Sequence, residues 1–220
     1  MDTNQFVVYL LPGLCFDKRI FENLNLNVNN IIFLNWIEPE LNENLINYIK
    51  RISKQIQISS EKIILVGHSF GGIVVQEISK FIIVEKVIII SSIKHSSEKP
   101  FSLLMFKHFP IYKLFNKKLV LKTFPLWANL FGYNSDKGKT IFRSMINNCT
   151  EKYFKWAFHQ IVNWENTEKP KSYLHHIHGT NDKTFPIKLI LNPISVQDGS
   201  HFMVHSKAEE ISKILNELII

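Results

Sequence analysis

Five short runs of apolar, largely β-branched residues dominate this chain: Gln5–Leu11, Asn30–Trp36, Lys62–Gly67, Lys86–Ser92 and Ser172–His178. A sixth, weaker run covers Ile194–Gln197. Each is nearly continuous in apolar residues, the pattern of strands buried on both faces of a parallel sheet. Between them the period changes. Leu45, Ile46, Ile49, Ile52 and Ile56 recur at helical spacing within Asn44–Ile56. Phe70–Phe81 reads as a buried helix, and Lys207–Leu218 as a closing helix with Ser206 as its N-cap. Strand alternates with helix, so the expected class is α/β, a mainly parallel six-stranded sheet flanked by helices.

One interval breaks the alternation. Residues 94–171 hold no convincing strand, and a structureless loop of that length does not belong inside a compact domain. Asp136–Asn148 and Thr150–Trp164 carry helical patterns, and Pro100, Pro110 and Pro125 punctuate the first half. The interval also holds 15 of the 27 aromatic residues. We read it as a helical cap inserted after the fourth strand. Residues 1–93 and 172–220 then form the core domain, and a chain of 220 residues suffices for one such unit.

Charge follows the same division. Residues 94–171 contain 14 of the 26 Lys+Arg and only 5 of the 19 Asp+Glu. Such an excess fits either an anionic partner or membrane surface, or a solvated lysine face; the second is the expectation adopted. No window approaches the ~18 consecutive apolar residues of a membrane span, so no stable membrane insertion is expected. The start MDTNQFVVYL reads as a strand and not as a secretory signal. Cys15 and Cys149 make neither a disulfide framework nor a CxxC site, and Cys15 reads as a small hydrophobe. A reducing cytoplasm is the expected location. There is no glycine-rich phosphate loop or nucleotide fingerprint, and no nucleic-acid partner is expected.

The chemistry centres on Gly67-His68-Ser69-Phe70-Gly71, a Gly-x-Ser-x-Gly between a strand and a helix. A tight strand-to-helix turn crowds the backbone, and glycines at 67 and 71 relieve it. The serine hydroxyl then projects above the strand ends beside free helical N–H groups, as a nucleophile elbow requires. A serine needs a base, and the base an acid. His201 follows the sixth strand in Asp198-Gly199-Ser200-His201, with His205 as its rival. Asp182 follows the fifth strand in His178-Gly179-Thr180-Asn181-Asp182, with Asp198 as the alternative acid. Loops at the C-terminal strand edges share one rim, so Ser69, Asp182 and His201 can meet. Pro12-Gly13-Leu14 ends the first strand on that rim, which makes the N–H groups of Leu14 and Phe70 the candidate oxyanion donors. His68 reads as a packed residue under the elbow. His176 and His178 share a strand face, but two ligands without a third make no metal site, and none is expected.

The stretches LLPGLCFD (10–17), LVGHSFGG (65–72), HGTND (178–182) and DGSHF (198–202) together resemble the α/β-hydrolase family, in its small, capped, single-domain form. The resemblance implies the strand order 2-1-3-4-5-6, without the two N-terminal antiparallel strands of larger members. Many relatives have His-Gly where this chain has Pro12-Gly13, so the oxyanion loop is expected to be held differently. The expected activity is hydrolysis of a carboxylic ester or thioester with an apolar acyl group, through an acyl-enzyme on Ser69 and without a cofactor. The expected partner is thus a small-molecule ester or thioester. Phe106, Phe124 and Trp127 are the candidate pocket residues of the cap. The alternatives are carbon–carbon hydrolysis or a lyase on the same residues, or a non-catalytic ligand-binding homologue.

Overall fold

The apolar runs become β1 (Phe6–Leu11), β2 (Asn30–Phe33), β3 (Lys62–His68), β4 (Lys86–Ile90), β5 (Leu174–Gly179) and β6 (Ile194–Val196). The structure, a computed structural model, describes residues 5–58, 60–168 and 173–219. All six strands lie in one sheet in the order β2-β1-β3-β4-β5-β6, and every neighbouring pair is parallel. This is the order that the resemblance implies. The sheet starts one strand in from its edge: the chain goes outward from β1 to β2, then crosses back to β3. That reversal puts a topological switch point between β1 and β3, where the strand ends open a crevice. The register sets Leu11 beside Gly67, so the loops after β1 and β3 leave the sheet side by side.

The strand cores are buried as their composition demands, with β1 buried throughout and β3 buried from Ile63 onward. β2 stops at Phe33, short of Trp36; Leu34 makes one more bond, to the Leu10 carbonyl at 2.9 Å. The main helices are α1 (Leu45–Ile52), α2 (Phe70–Ile78) and, at the end of the chain, α7 (Met203–Ser206) and α8 (Ala208–Ile219). The Asn44 side chain caps α1 by accepting from the Asn47 N–H at 2.9 Å. Ser206 is not the cap of the closing helix. It ends the short α7, and its hydroxyl donates back to the Phe202 carbonyl at 3.3 Å. Its side chain is consumed by the turn before it.

Between β4 and β5 the chain forms α3 (Phe101–His108), α4 (Lys117–Trp127), α5 (Asp136–Asn148) and α6 (Glu151–Asn163). Asn116, Ser135 and Thr150 cap α4, α5 and α6 with side-chain oxygens. Pro125 lies inside α4, not at a boundary. It falls near the last turn, where one missing N–H costs little of the helix. α3 packs on α6 and α4 on α5. The expected boundary at 171/172 lies outside the described residues. Two lysines of the interval depart from a solvated face. Lys94 and Lys99 are buried, and Lys99 Nζ donates to the carbonyls of Val162 and Trp164 at the end of α6.

Cys15 and Cys149 are joined in a disulfide, contrary to the sequence expectation, with their Cα atoms 5.2 Å apart. The partners are 134 residues apart, and no local spacing signals the pair. The fold creates it by laying the corner between α5 and α6 over the loop that follows β1. Among the described residues no helix is long and apolar enough to cross a membrane.

Candidate active site

Ser69 occupies the turn between β3 and α2 with φ 52° and ψ −119°, a left-handed conformation that a side chain adopts only under constraint. The neighbouring glycines supply the constraint. A Cβ on Gly67 would come within 2.4 Å of the Gly71 carbonyl oxygen, and one on Gly71 within 2.3 Å of the Leu11 oxygen. These are backbone atoms that cannot step aside, so the turn closes this tightly only with glycine at both positions. Ser92, after β4, donates its hydroxyl to the Ser69 carbonyl at 2.7 Å and ties the elbow to the neighbouring strand.

The side chains singled out in the sequence gather on the rim. Ser69 Oγ is 2.9 Å from His201 Nε2, and His201 Nδ1 is 2.8 Å from Asp182 Oδ2. A carboxylate only accepts, so Nδ1 carries the proton and Nε2 is free to accept from the serine. Asp182 Oδ1 takes the N–H groups of Thr184 at 2.8 Å and Phe185 at 3.0 Å. Burial pushes the Asp182 carboxyl up, but the attraction of the adjacent His201 imidazole when protonated and the hydrogen bonds from His201 and the Phe185 N–H outweigh it, and its pKa lies below the ordinary value. The two rivals stand elsewhere. Asp198 is exposed, and its N–H is bound to Thr180 Oγ1. His205 faces Glu22, 3.5 Å away.

Three other histidines surround the group, all neutral. His68 Nε2 donates to the His201 carbonyl at 2.9 Å, which anchors the loop that carries His201. Its Nδ1 has no partner among the described residues. Burial, reinforced by the nearby His201, holds its pKa down at about 3. His178 donates to the Phe185 carbonyl at 2.7 Å and accepts from His176 at 3.0 Å. Burial lowers the pKa of both. They brace the far side of the Asp182 loop. Among the described residues no group of three His, Cys, Asp or Glu is arranged to hold a metal ion.

The loop after β1 lies against the serine. A side chain on Gly13 would reach His68 Nδ1 at 3.0 Å and Ser69 Cβ at 3.2 Å. The Gly13 carbonyl points away and accepts twice, from the Phe16 N–H and from the Trp36 indole N–H, both at 3.0 Å. Trp36 in turn stacks on Phe70 with ring centroids 5.3 Å apart. Beside this loop is a cavity of about 220 Å³, lined by Pro12, Phe16, Trp36, Met145, Tyr153 and the disulfide. Sequence reasoning missed Trp36, Ser92 and the role of His68, because each acts on a main-chain carbonyl and no motif marks such a contact.

The helical interval reaches the site through stacked rings. Phe124 is fully buried and stacks on Phe142 at 4.3 Å; Phe142 meets Phe16 at 5.9 Å; Phe16 stacks on His68 at 5.9 Å. Trp127 packs edge-on against Phe124 at 5.0 Å. Phe106 belongs to a different cluster, with Tyr112, Phe115 and Phe158.

No protein-family model matches the sequence, and neither does any curated protein. Solved structures do. A putative lipase from Acinetobacter baumannii aligns over 99% of this chain and 85% of its own, with a TM-score of 0.69 at 13% identity. A thermophilic esterase aligns over 96% and 88%, with a TM-score of 0.67 at 16% identity. The thioesterase RedJ of the prodiginine pathway in Streptomyces coelicolor aligns over 98% and 91%, with a TM-score of 0.65 at 10% identity. With six parallel strands in the order β2-β1-β3-β4-β5-β6, helices on the sheet and near-complete coverage of these proteins, the chain has the α/β-hydrolase fold.

Proposed function

We propose that the protein is a serine hydrolase of carboxylic esters or thioesters with an apolar acyl group. The observation that carries this reading is the unbroken pair of hydrogen bonds from Ser69 through His201 to Asp182. Ser69 Oγ attacks the carbonyl carbon while His201 Nε2 takes its proton. The imidazolium, stabilised by Asp182, then passes that proton to the leaving group. Water, activated by the same imidazole, cleaves the acyl-enzyme. Each of these steps is carried by the chain's own groups and calls on no cofactor.

The oxyanion donors in this reading are the N–H groups of Leu14 and Phe70. Phe70 is the first residue of α2, so its N–H has no helical acceptor. For Leu14 the support is indirect and geometric. In a planar trans peptide the C=O and the following N–H point in opposite directions. Trp36 and Phe16 bind the Gly13 carbonyl, so the Leu14 N–H of the same peptide lies on the side opposite those donors, which supports it as the second oxyanion donor. This supplies a hold on the loop where Pro12 replaces the usual histidine. Phe124 and Trp127, through Phe142 and Phe16, form the apolar side of the acyl site. A reducing cytoplasm, the expected location, would open the Cys15–Cys149 bond, whereas an oxidising compartment would preserve it. Mass spectrometry of the alkylated native protein identifies the working form.

The test is a fluorophosphonate probe with p-nitrophenyl esters. The probe should label Ser69, and Ser69→Ala should lose several orders of magnitude in kcat. Asp182→Asn should lose a large part of kcat and Asp198→Asn almost none. An unlabelled Ser69, or a Ser69→Ala variant with more than about a tenth of the wild-type rate, overturns the reading.

A further inference from the structure

Among the described residues, nine of the sixteen exposed large apolar side chains fall within residues 101–130. On α3 they are Phe101, Leu104 and Met105, spaced so that they form one stripe. The turn that follows adds Ile111 and Leu114, and α4 adds Leu119 and Leu126. Phe101 is 74% exposed and Leu126 87%, so these are not rims of a core. α6 and α5 take the inner sides of α3 and α4, and the stripe is what remains outside. Large apolar side chains left outside in this number along one stretch of chain are rare in soluble proteins unless something covers them.

The charge of the same stretch says what covers it. From Lys99 through Ser135 the sequence contains no Asp or Glu. Lys113, Lys118 and Lys122 are exposed there, and Lys118 and Lys122 share the α4 side that carries Leu119 and Leu126. The exposed acid that reaches this face, Glu165, is already paired with Lys107 of α3, so a second copy meeting the face across a two-fold axis would set Lys118 and Lys122 against lysines with no free acid of the stretch to answer them. An apolar surface with an anionic rim satisfies both features at once. The geometry points to the outer side of α3 and α4 as a docking face for an anionic lipid bilayer. The apolar side chains enter the boundary between headgroups and acyl chains, and the lysines meet the phosphates and carboxylates. This is docking on one leaflet, not insertion. It extends the proposed function without depending on it.

Cosedimentation with large unilamellar vesicles tests the inference. One set is phosphatidylcholine alone; the other is phosphatidylcholine with about one third phosphatidylserine. The wild-type protein should pellet with the mixed vesicles and bind them about tenfold more tightly than the neutral ones. Lys118→Glu with Lys122→Glu should abolish that difference. Phe101→Ser with Leu126→Ser should abolish binding to both. These side chains are exposed, so circular dichroism and turnover of a soluble short-chain ester should match the wild type. Wild-type protein that stays in the supernatant with both vesicle types overturns the inference. So does a dimer in analytical ultracentrifugation that the Phe101→Ser, Leu126→Ser variant dissolves, which would give the face to a second copy.

Discussion

Replacing Trp36 with Phe removes one N–H from the loop that faces Ser69 and leaves almost everything else in place. A smaller aromatic ring still faces Phe70 and Tyr153, which the indole meets at 5.3 and 5.5 Å; the donor to the Gly13 carbonyl is lost. The Phe16 amide still holds that carbonyl, so the peptide is loosened rather than freed. We expect kcat to fall about tenfold, or about 1.4 kcal/mol, which is less than the ~3–4 kcal/mol for outright loss of an oxyanion donor. KM should hardly move, because the donor counts most when charge develops on the substrate oxygen. The inhibition constant of a trifluoromethyl ketone should rise in step with the loss in kcat/KM. A variant with wild-type kcat would show that Phe16 alone fixes the peptide. That the side chains of Ser69, Asp182 and His201 meet could be read from the sequence, because each follows a strand in a short, glycine-marked loop. Trp36 could not. Its partner is a backbone carbonyl 23 residues away, and neither end of that contact has a distinctive neighbour in the sequence.

The elements themselves were the most legible part. The strand cores and α5 were legible nearly residue for residue, because a continuous apolar run and a capped helical period are local properties. What the sequence left out is how the elements meet: the disulfide, the buried Lys94 and Lys99, and the split of the aromatic rings between β4 and β5 into two clusters. All of these depend on contacts between segments far apart in the chain. Under the proposed function the split bears on substrate choice. The Phe124–Phe142–Phe16 stack leads toward Ser69, whereas the Phe106 cluster lies between α3 and α6. Each methylene that enters the first cluster contributes up to about 0.8 kcal/mol, so kcat/KM for p-nitrophenyl esters should rise roughly fourfold per carbon. The rise should stop at a short or medium chain, where the rings close the space. Phe142→Ala should move the optimum to longer chains, and Phe106→Ala should leave it in place. A flat profile in the wild type would remove the aromatic stack from the acyl site.

The folded protein as a unit carries a pH dependence set by buried histidines that resist protonation. His68 is held at about 3, and His176 and His178 lie below their ordinary value, all chiefly through burial. In the unfolded chain each titrates near 6.5. Between those values the unfolded state binds more protons, so stability is fully present above about pH 6.5 and is lost as pH falls. The lowered Asp182 adds to the loss at the acid end. The urea midpoint should therefore decline from about pH 6.5 to pH 4, and His68→Gln should make that decline shallower by about one proton. An unchanged slope would mean that His68 charges in the fold. The disulfide has a consequence of a different kind, one of topology. It closes residues 15–149 into a covalent ring that contains Ser69 and excludes Asp182 and His201. A protease that cuts the ring once, at the exposed Lys113 or Lys118, opens it without separating the pieces. The clipped protein should run as a single species on a non-reducing gel and fall into two fragments with dithiothreitol. A cut beyond the ring, toward His201, should give two fragments on the same non-reducing gel, and so break the covalent link between Ser69 and His201 where a cut inside the ring cannot.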